Sequence, residues 1–171
     1  CIRDRFGALR LKIDFSSFII SISGNNLIIA LFLTMASSLI LGMGLPTAAA
    51  YILVATLTAP ALVTMGVDLM AAHMFVFYSA MLSSITPPVA LAAFAAAAIS
   101  REPPMRVAMI SVKYGFVAFL LPYFFVLEPR LLLMGTLGEA IGVFLMAAIG
   151  IVTLACVLQG YAMGSLSWLT R

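Results

Sequence analysis

The sequence predicts an all-α integral membrane protein that crosses the bilayer several times. Of its 171 residues, 64% are hydrophobic and 9% are charged, and the mean hydropathy is +1.21. A soluble domain carries about a quarter charged residues and could not hide so much apolar surface from water. Between Phe15 and Ser100 the only formal charge is Asp68. That stretch is long enough for several crossings at about 20 residues each.

The basic residues are concentrated at one end of the chain. Four of the nine Lys and Arg residues fall within the first twelve positions, and the net charge is +3. This small clustered charge suits contact with the anionic headgroups of a lipid bilayer, and no motif for binding nucleic acid is present. Cys1 and Cys156 have no metal-ligand spacing and are interpreted as small apolar filler. Because the chain starts with Cys and has no signal-peptide pattern, we expect it to be a piece of a longer protein.

Residues 1–26 form the first predicted segment, a basic arm or linker. Residues 1–14 mix basic and apolar side chains, and Phe15–Ser23 is apolar but too short to span a membrane. Gly24-Asn25-Asn26 interrupts this pattern. The segment is either a loop or, as we favour, an interfacial helix whose basic face meets the headgroups.

Residues 27–65 are predicted to form a helical hairpin. An apolar helix pattern, Leu27–Leu41, is followed by the sequence GMGLPT at 42–47 and by a second apolar pattern, Ala48–Met65. The two glycines permit unusual backbone angles, and Pro46 removes a donor and disfavours helix at Leu45. The turn is apolar apart from Thr47, which favours a re-entrant hairpin whose tip lies inside the protein.

Residues 69–100 are predicted to form a broken helix. Asp68 is suited to cap the helix Leu69–Leu82, and SSITPP at 83–88 separates that helix from Val89–Ile99. The two prolines remove two donors and should free the matching carbonyls upstream. Ser83, Ser84 and Thr86 add hydroxyls, so the break offers hard oxygen ligands that suit a small cation such as sodium.

The rest of the chain is predicted to contain two further spans. A polar loop at 101–106 leads to a full span at 107–127, and 128–171 holds a loop at 128–130 and a carboxy-terminal span at 140–163. Trp168 and Arg171 suit an interface anchor at its end.

The two interruptions at 42–47 and 83–88 are the candidate functional features. A helix broken at membrane depth leaves backbone groups unpaired, which is tolerated only inside protein or beside a wet cavity. Paired Gly- or Pro-interrupted segments indicate an ion or substrate site in secondary transporters. Either break alone could also be a kink or a surface turn, since Pro and Gly are common in membrane helices.

The sequence around both breaks resembles a known family. LILGMGLPTAAAYILVATLTAPALVTMG, followed by AAHMFVFYSAMLSSITPPVALAAFAAAAIS, is similar to the fused permease subunits of tripartite ATP-independent periplasmic (TRAP) transporters. The resemblance extends from about Leu11 to Met134 and is closest over 38–100.

The resemblance implies one half of an elevator-type transport core, made by 27–127, in a bacterial or archaeal cytoplasmic membrane. It also implies import driven by an ion gradient, typically sodium, of a small organic solute, often a carboxylate. A periplasmic solute-binding protein would deliver that solute, and the remainder of the permease chain would complete the core. No organic cofactor is expected. By analogy the ion and substrate site comprises Gly42, Gly44, Pro46, Thr47, Ser83, Ser84, Thr86 and Pro87. Within that set the sodium candidates are Gly42, Gly44, Ser83, Thr86 and Pro87.

Several other residues could carry a function, and two other classes of protein compete with a permease. His73 is expected to satisfy a local hydrogen bond rather than to relay protons, Lys113 to reach the interface, and Glu139 to complement a helix N-terminus. An intramembrane hydrolase would use Ser165 with His73, but no supporting carboxylate or oxyanion motif is present. A non-transporting scaffold subunit would not need two polar breaks.

The orientation in the membrane stays open at this stage. Five basic residues fall on the side of residues 1–14 and four on the other side, which favours an amino terminus in the cytoplasm. The family resemblance places the open end of the hairpin outside, which conflicts with that count.

Overall fold

A computed structural model of the chain describes residues 14–159. Within that range every regular element is helical, which confirms the predicted all-α class. The α-helices are α1 Asp14–Ser23, α2 Leu27–Gly42, α3 Thr47–Thr64, α4 Leu69–Leu82, α5 Leu91–Ser100, α6 Pro104–Gly115, α7 Leu121–Leu127 and α8 Leu137–Gln159. Two 3-10 helices, Phe116–Phe119 and Pro129–Leu132, flank α7.

The described part of the predicted arm is a helix that packs against the hairpin. Ser16 Oγ donates to the Leu57 carbonyl of α3 at 3.2 Å, and Ile19 is buried. The chain then turns through Gly24 and Asn25, which both have positive φ. Asn26 begins α2 because its side chain accepts from the orphan amides of the first turn. Residues 1–13 of the arm lie outside the described residues.

The core lies among α2, α3 and α4, which pack on one another, with α7 against α4. Because the chain reverses at each connection, α2 and α4 run in the same direction and α3 runs between them in the opposite one. The largest fully buried side chains of these three helices are Leu31, Val54, Leu62, Phe75 and Val76. Tyr123 of α7 closes the bundle, with its ring perpendicular to that of Phe75 at 5.3 Å.

Three stretches are long and apolar enough to cross a membrane: Thr47–Thr64, Pro104–Leu127 and Leu137–Val157. The helices on either side of the second break are too short. At 1.5 Å per residue, α4 is about 21 Å long and α5 about 15 Å, against a hydrocarbon core of about 30 Å. Neither helix is therefore long enough to cross a hydrocarbon core of that thickness by itself.

The predicted full span at 107–127 falls within the candidate span Pro104–Leu127, and two details differ from the sequence pattern. The helix begins earlier, at Pro104, since a proline is compatible with the first helical position; the predicted polar loop 101–106 is correspondingly shorter. The helix also tightens to 3-10 geometry at Phe116–Phe119. The physical reason is Pro122, which cannot donate to the Ala118 carbonyl one turn upstream and whose ring crowds it.

The carboxy-terminal span also starts earlier than predicted. The loop at 128–130 continues as the 3-10 helix Pro129–Leu132, where the side chains of Arg130 and Glu128 form an ion pair. Helix α8 begins at Leu137, and Glu139 lies in its first turn, as expected for a carboxylate that complements a helix N-terminus. The predicted end of this span at residue 163 lies outside the described residues, and so do the predicted anchor residues Trp168 and Arg171.

Candidate functional site

The first break forms the tip of the hairpin. Helix α2 ends at Gly42 and α3 begins at Thr47, with Pro46 in an extended conformation between them. Gly44 has a φ of +77°, a backbone conformation that residues with a Cβ adopt only with strain. Pro46 and Thr47 are exposed. The local sequence therefore produces a tight turn with its backbone near the surface of the described structure.

The structure brings the two breaks into contact. A Cβ placed on Gly42 would lie 2.7 Å from Ser83 Oγ, 3.1 Å from Ser83 Cβ and 3.5 Å from the Ala80 carbonyl oxygen. Only a residue without a side chain permits this approach. The carboxy-terminal ends of α2 and α4 therefore meet.

Two further contacts extend the junction. A Cβ on Gly44 would lie 3.5 Å from Val89 Cγ1, so the hairpin tip also touches the far side of the second break. A Cβ on Gly115 would lie 3.0 Å from Ile85 Cδ1, which places the end of α6 against the same break. The second break is thus enclosed by the hairpin tip on one side and by α6 on another.

Three hydroxyls of the second break donate their protons to backbone carbonyls of the preceding turn. Ser83, Ser84 and Thr86 donate to the carbonyls of Ala80, Met81 and Leu82 at 2.6, 2.7 and 2.7 Å. A hydroxyl whose proton is engaged presents only lone pairs to other partners. Ser83 is buried, and Ser84, Thr86 and Pro87 are half-buried. These oxygens can therefore serve as acceptors or as cation ligands.

The expectation that the prolines free the carbonyls upstream is wrong in detail. The Ser83 carbonyl accepts from Thr86 N at 3.3 Å, and the Ser84 carbonyl accepts from Ala92 N at 3.0 Å, so turn hydrogen bonds replace the missing helical ones. The carbonyls without a hydrogen-bond donor lie inside the break instead. The carbonyls of Ile85, Pro87 and Pro88 accept no hydrogen bond from residues 14–159. The carbonyl of Gly44 at the hairpin tip accepts none from these residues either.

Four helix ends border the two breaks. The carboxy-terminal ends of α2 and α4 carry partial negative charge, and the amino-terminal ends of α3 and α5 carry partial positive charge. Neither α3 nor α5 has a side-chain cap at its start. The junction can thus attract a cation on the side of Gly42 and Ser83, and an anionic group at the starts of α3 and α5.

The helices and turns that form the junction place no charged side chain at it. The stretch 15–100 contains Asp68 alone, and its carboxylate caps the opposite end of α4 by accepting from Met70 N at 2.7 Å. Among residues 14–159 no cluster of His, Cys, Asp or Glu could hold a metal ion. The oxygens that these described elements offer to a cation at the junction are therefore neutral, and hard neutral oxygens suit a monovalent ion better than a transition metal.

His73 is engaged elsewhere. Its Nδ1 lies 3.0 Å from Tyr51 Oη on α3. The predicted hydrogen bond is therefore present, but it crosses to a neighbouring helix, and the prediction that it would be local is wrong. The imidazole also borders a cleft of about 480 Å³ at the far end of α3. Ser165, the other residue of the hydrolase hypothesis, lies outside the described residues.

Several residues at the junction carry no signal in the sequence. Ala80 contributes its carbonyl, and Ile85 and Val89 contribute apolar contacts. Gly115 permits the close approach of α6, and none of these residue types by itself marks a site. Only Gly115 offered a hint, as a glycine within a predicted helix.

The comparison with protein families gives a match over most of the chain. The family described as "Tripartite ATP-independent periplasmic transporter, DctM component" matches residues 8–140, which include both breaks and α6. No curated protein and no solved structure matches the chain significantly. The match agrees with the resemblance of the two interrupted segments and indicates a transporter rather than an enzyme. The chain therefore belongs to the DctM component family of tripartite ATP-independent periplasmic transporters.

Proposed function

We propose that this chain forms one half of the elevator-type transport core of an ion-coupled importer in the cytoplasmic membrane. Sodium is the coupling ion, and the cargo is a small organic carboxylate. A periplasmic solute-binding protein delivers the cargo, and the remainder of the permease supplies the other half of the core. The observation that carries the proposal is the contact between the two breaks, where Gly42 meets Ser83 and Gly44 meets Val89.

The oxygen chemistry of the junction supports sodium. The hydroxyls of Ser83 and Thr86 already donate their protons, and the carbonyls of Gly44 and Pro87 have no donor among residues 14–159. Such neutral oxygens, together with two helix carboxy-terminal ends, favour a small cation without requiring a carboxylate. The coupling ion would then bind where the hairpin and the broken helix touch.

The opposite helix ends support an anionic cargo. The uncapped first turn of α3, beginning at the exposed Thr47, and that of α5 present backbone amides with partial positive charge. A carboxylate is stabilised at such ends without a basic side chain. An ion and a solute bound at one junction would also explain coupling, since each would favour the packed arrangement of the breaks that the other requires.

The test uses the full-length transporter in proteoliposomes with its binding protein. We would measure uptake of labelled small carboxylates and of their neutral amides under an inward sodium gradient, an inward proton gradient, or neither. The proposal predicts uptake of a carboxylate under the sodium gradient alone. Uptake driven by the proton gradient alone would contradict sodium coupling, and uptake of the amides would contradict an anionic cargo.

Two variants and one control place the site. Thr86→Ala removes a hydroxyl at the junction, and Gly44→Leu adds a side chain where φ is +77°. Both are expected to abolish sodium-driven uptake in folded protein. Thr64→Ala removes a hydroxyl with the same kind of bond, to the Pro60 carbonyl at 2.7 Å, at the other end of α3. That control should transport like the wild type, and equal losses in all three variants would contradict the assignment.

A further inference from the structure

A cleft of about 560 Å³ lies between α7, the 3-10 helix that follows it, and α8. The only charged residues of its lining are Glu128 and Arg130, which form an ion pair. The other lining residues carry no charge and are Phe124, Leu131, Val143, Met146, Ala147 and Gly150. The cleft therefore combines a charged part with a larger apolar part.

The charged side chains are at one end of the cleft. Glu139 is one turn before Val143 on α8 and thus on the face of the helix that lines the cleft. The rise along the helix from Glu139 to Gly150 is about 16 Å. The sequence between these two residues contains no charge. The cleft accordingly runs along α8 from a charged end to an uncharged one.

Arg130 lies between two carboxylates at the charged end. Its Nη2 donates to Glu128 Oε2 at 3.2 Å, and its Nε donates to the other oxygen of the same carboxylate. A Cβ on Gly135 would lie 3.4 Å from Glu139 Oε2 and 3.5 Å from Arg130 Cγ, so the second carboxylate is close to the arginine side chain. Nη1 takes no part in the bonds to Glu128 and can donate to a further anion. With one cation and two carboxylates, this end carries an excess of negative charge.

The charged end is also where the chain leaves its apolar segments. Residues 128–136 connect the candidate span Pro104–Leu127 to the candidate span Leu137–Val157. A connection between two consecutive spans lies at a membrane surface, whichever way the protein is oriented. Only 6% of the apolar window of α8 is buried in the described structure, so the cleft is open to the surrounding membrane.

We propose that this cleft binds one phospholipid whose headgroup carries a phosphate and a primary ammonium, as in phosphatidylethanolamine. The phosphate accepts from Arg130, and the ammonium donates to the carboxylates of Glu128 and Glu139. An acyl chain lies along the uncharged lining toward Gly150. The distance of about 16 Å from Glu139 to Gly150 is close to half of a hydrocarbon core of about 30 Å, as an acyl chain of one leaflet requires.

The charges at the cleft favour this headgroup over two common alternatives. The excess of negative charge disfavours an anionic headgroup such as phosphatidylglycerol, because it has no cation to offer the second carboxylate. The quaternary ammonium of phosphatidylcholine has no N–H and cannot donate to either carboxylate. The inference rests on the cleft and its charges, and it requires neither sodium coupling nor a carboxylate cargo.

Photocrosslinking in the full-length transporter tests the occupant. The transporter is reconstituted in phosphatidylcholine bilayers with a trace of phosphatidylethanolamine that carries a diazirine in one acyl chain, and adducts are mapped by mass spectrometry. We expect adducts on peptides that contain residues 124–131 and 143–150. Unlabelled phosphatidylethanolamine should compete for them, and phosphatidylglycerol should compete poorly. Absence of adducts at the cleft, or equal competition by both lipids, would overturn the proposal.

Two glycines of α8 provide a matched pair of variants. A Cβ on Gly150 or on Gly142 meets no atom within 4 Å among the described residues, and only Gly150 lines the cleft. Gly150→Leu should lower the adduct yield about tenfold by filling the cleft, whereas Gly142→Leu should stay within about twofold of the wild type. Equal yields in the two variants would overturn the proposal.

Charge variants test recognition of the headgroup. Glu128→Gln combined with Glu139→Gln should lower the preference for phosphatidylethanolamine over phosphatidylglycerol about tenfold, because hydrogen bonds between charged groups are lost. Glu102→Gln is the matched control, since Glu102 pairs with Arg106 at 3.3 Å in an exposed ion pair outside this cleft. An unchanged preference in the double variant, or the same fall in Glu102→Gln, would overturn the proposal.

Discussion

The close approach of Gly42 to Ser83 can be tested by adding a single methyl group. In Gly42→Ala the new Cβ would lie 2.7 Å from Ser83 Oγ and 3.1 Å from Ser83 Cβ, both shorter than ordinary van der Waals contacts. Rotation of the serine would relieve only the first contact and would break its 2.6 Å hydrogen bond to the Ala80 carbonyl. Overpacking of a buried contact typically costs about 1–3 kcal/mol, and we expect a loss of stability in that range.

A double-mutant cycle separates this contact from a general effect of alanine. Ser83→Ala removes the oxygen nearest to the new methyl group, so Gly42→Ala should cost less in that background than in the wild type. The assay is thermal unfolding of the purified full-length transporter. Gly142→Ala on α8 is the control, because a Cβ there meets no atom within 4 Å in the described structure. An equal cost of Gly42→Ala in both backgrounds would refute the contact between the breaks.

Three other substitutions test local features, each by thermal unfolding together with uptake. Gly44→Ala should cost about 1–2 kcal/mol because φ is +77°, and Gly44→Asn should cost less, since Asn tolerates this region; equal costs would contradict a strained tip. Asp68→Ala should cost about 1 kcal/mol by removing the cap on Met70 N, whereas Asp68→Asn should retain most of the stability. Tyr51→Phe should cost about 0.5–1.5 kcal/mol by removing the bond to His73 and should leave uptake intact. Loss of uptake in a stable Tyr51→Phe variant would instead assign the pair a role in transport.

Features that depend on a few neighbouring residues could be predicted from the sequence. Asp68 caps α4 because a side chain two residues before an orphan amide can reach it in any context. The breaks at 42–47 and 83–88 follow in the same way from glycine and proline chemistry. A joint functional role for the two breaks stays a prediction, based on both interrupting an otherwise chargeless stretch.

Features that depend on packing could not be predicted. Gly42 and Ser83 are 41 residues apart, and nothing in either segment encodes that their helix ends meet. The partner of His73 is on another helix for the same reason. Helical bonding alone predicts free carbonyls at Ser83 and Ser84, but the hydrogen bonds that replace it depend on the path of the chain after Pro88.

The most direct test of the central claim is sodium-dependent labelling of the hairpin tip. In the full-length transporter, with native cysteines replaced, Thr47→Cys introduces an exposed thiol beside the junction, and Thr64→Cys provides an exposed control at the other end of α3. If sodium binds between the breaks, sodium but not potassium will slow labelling at position 47 alone, and adding Thr86→Ala will raise the sodium concentration required. A labelling rate at position 47 that is the same in both salts, or a sodium response unchanged by Thr86→Ala, would contradict an ion site at this junction.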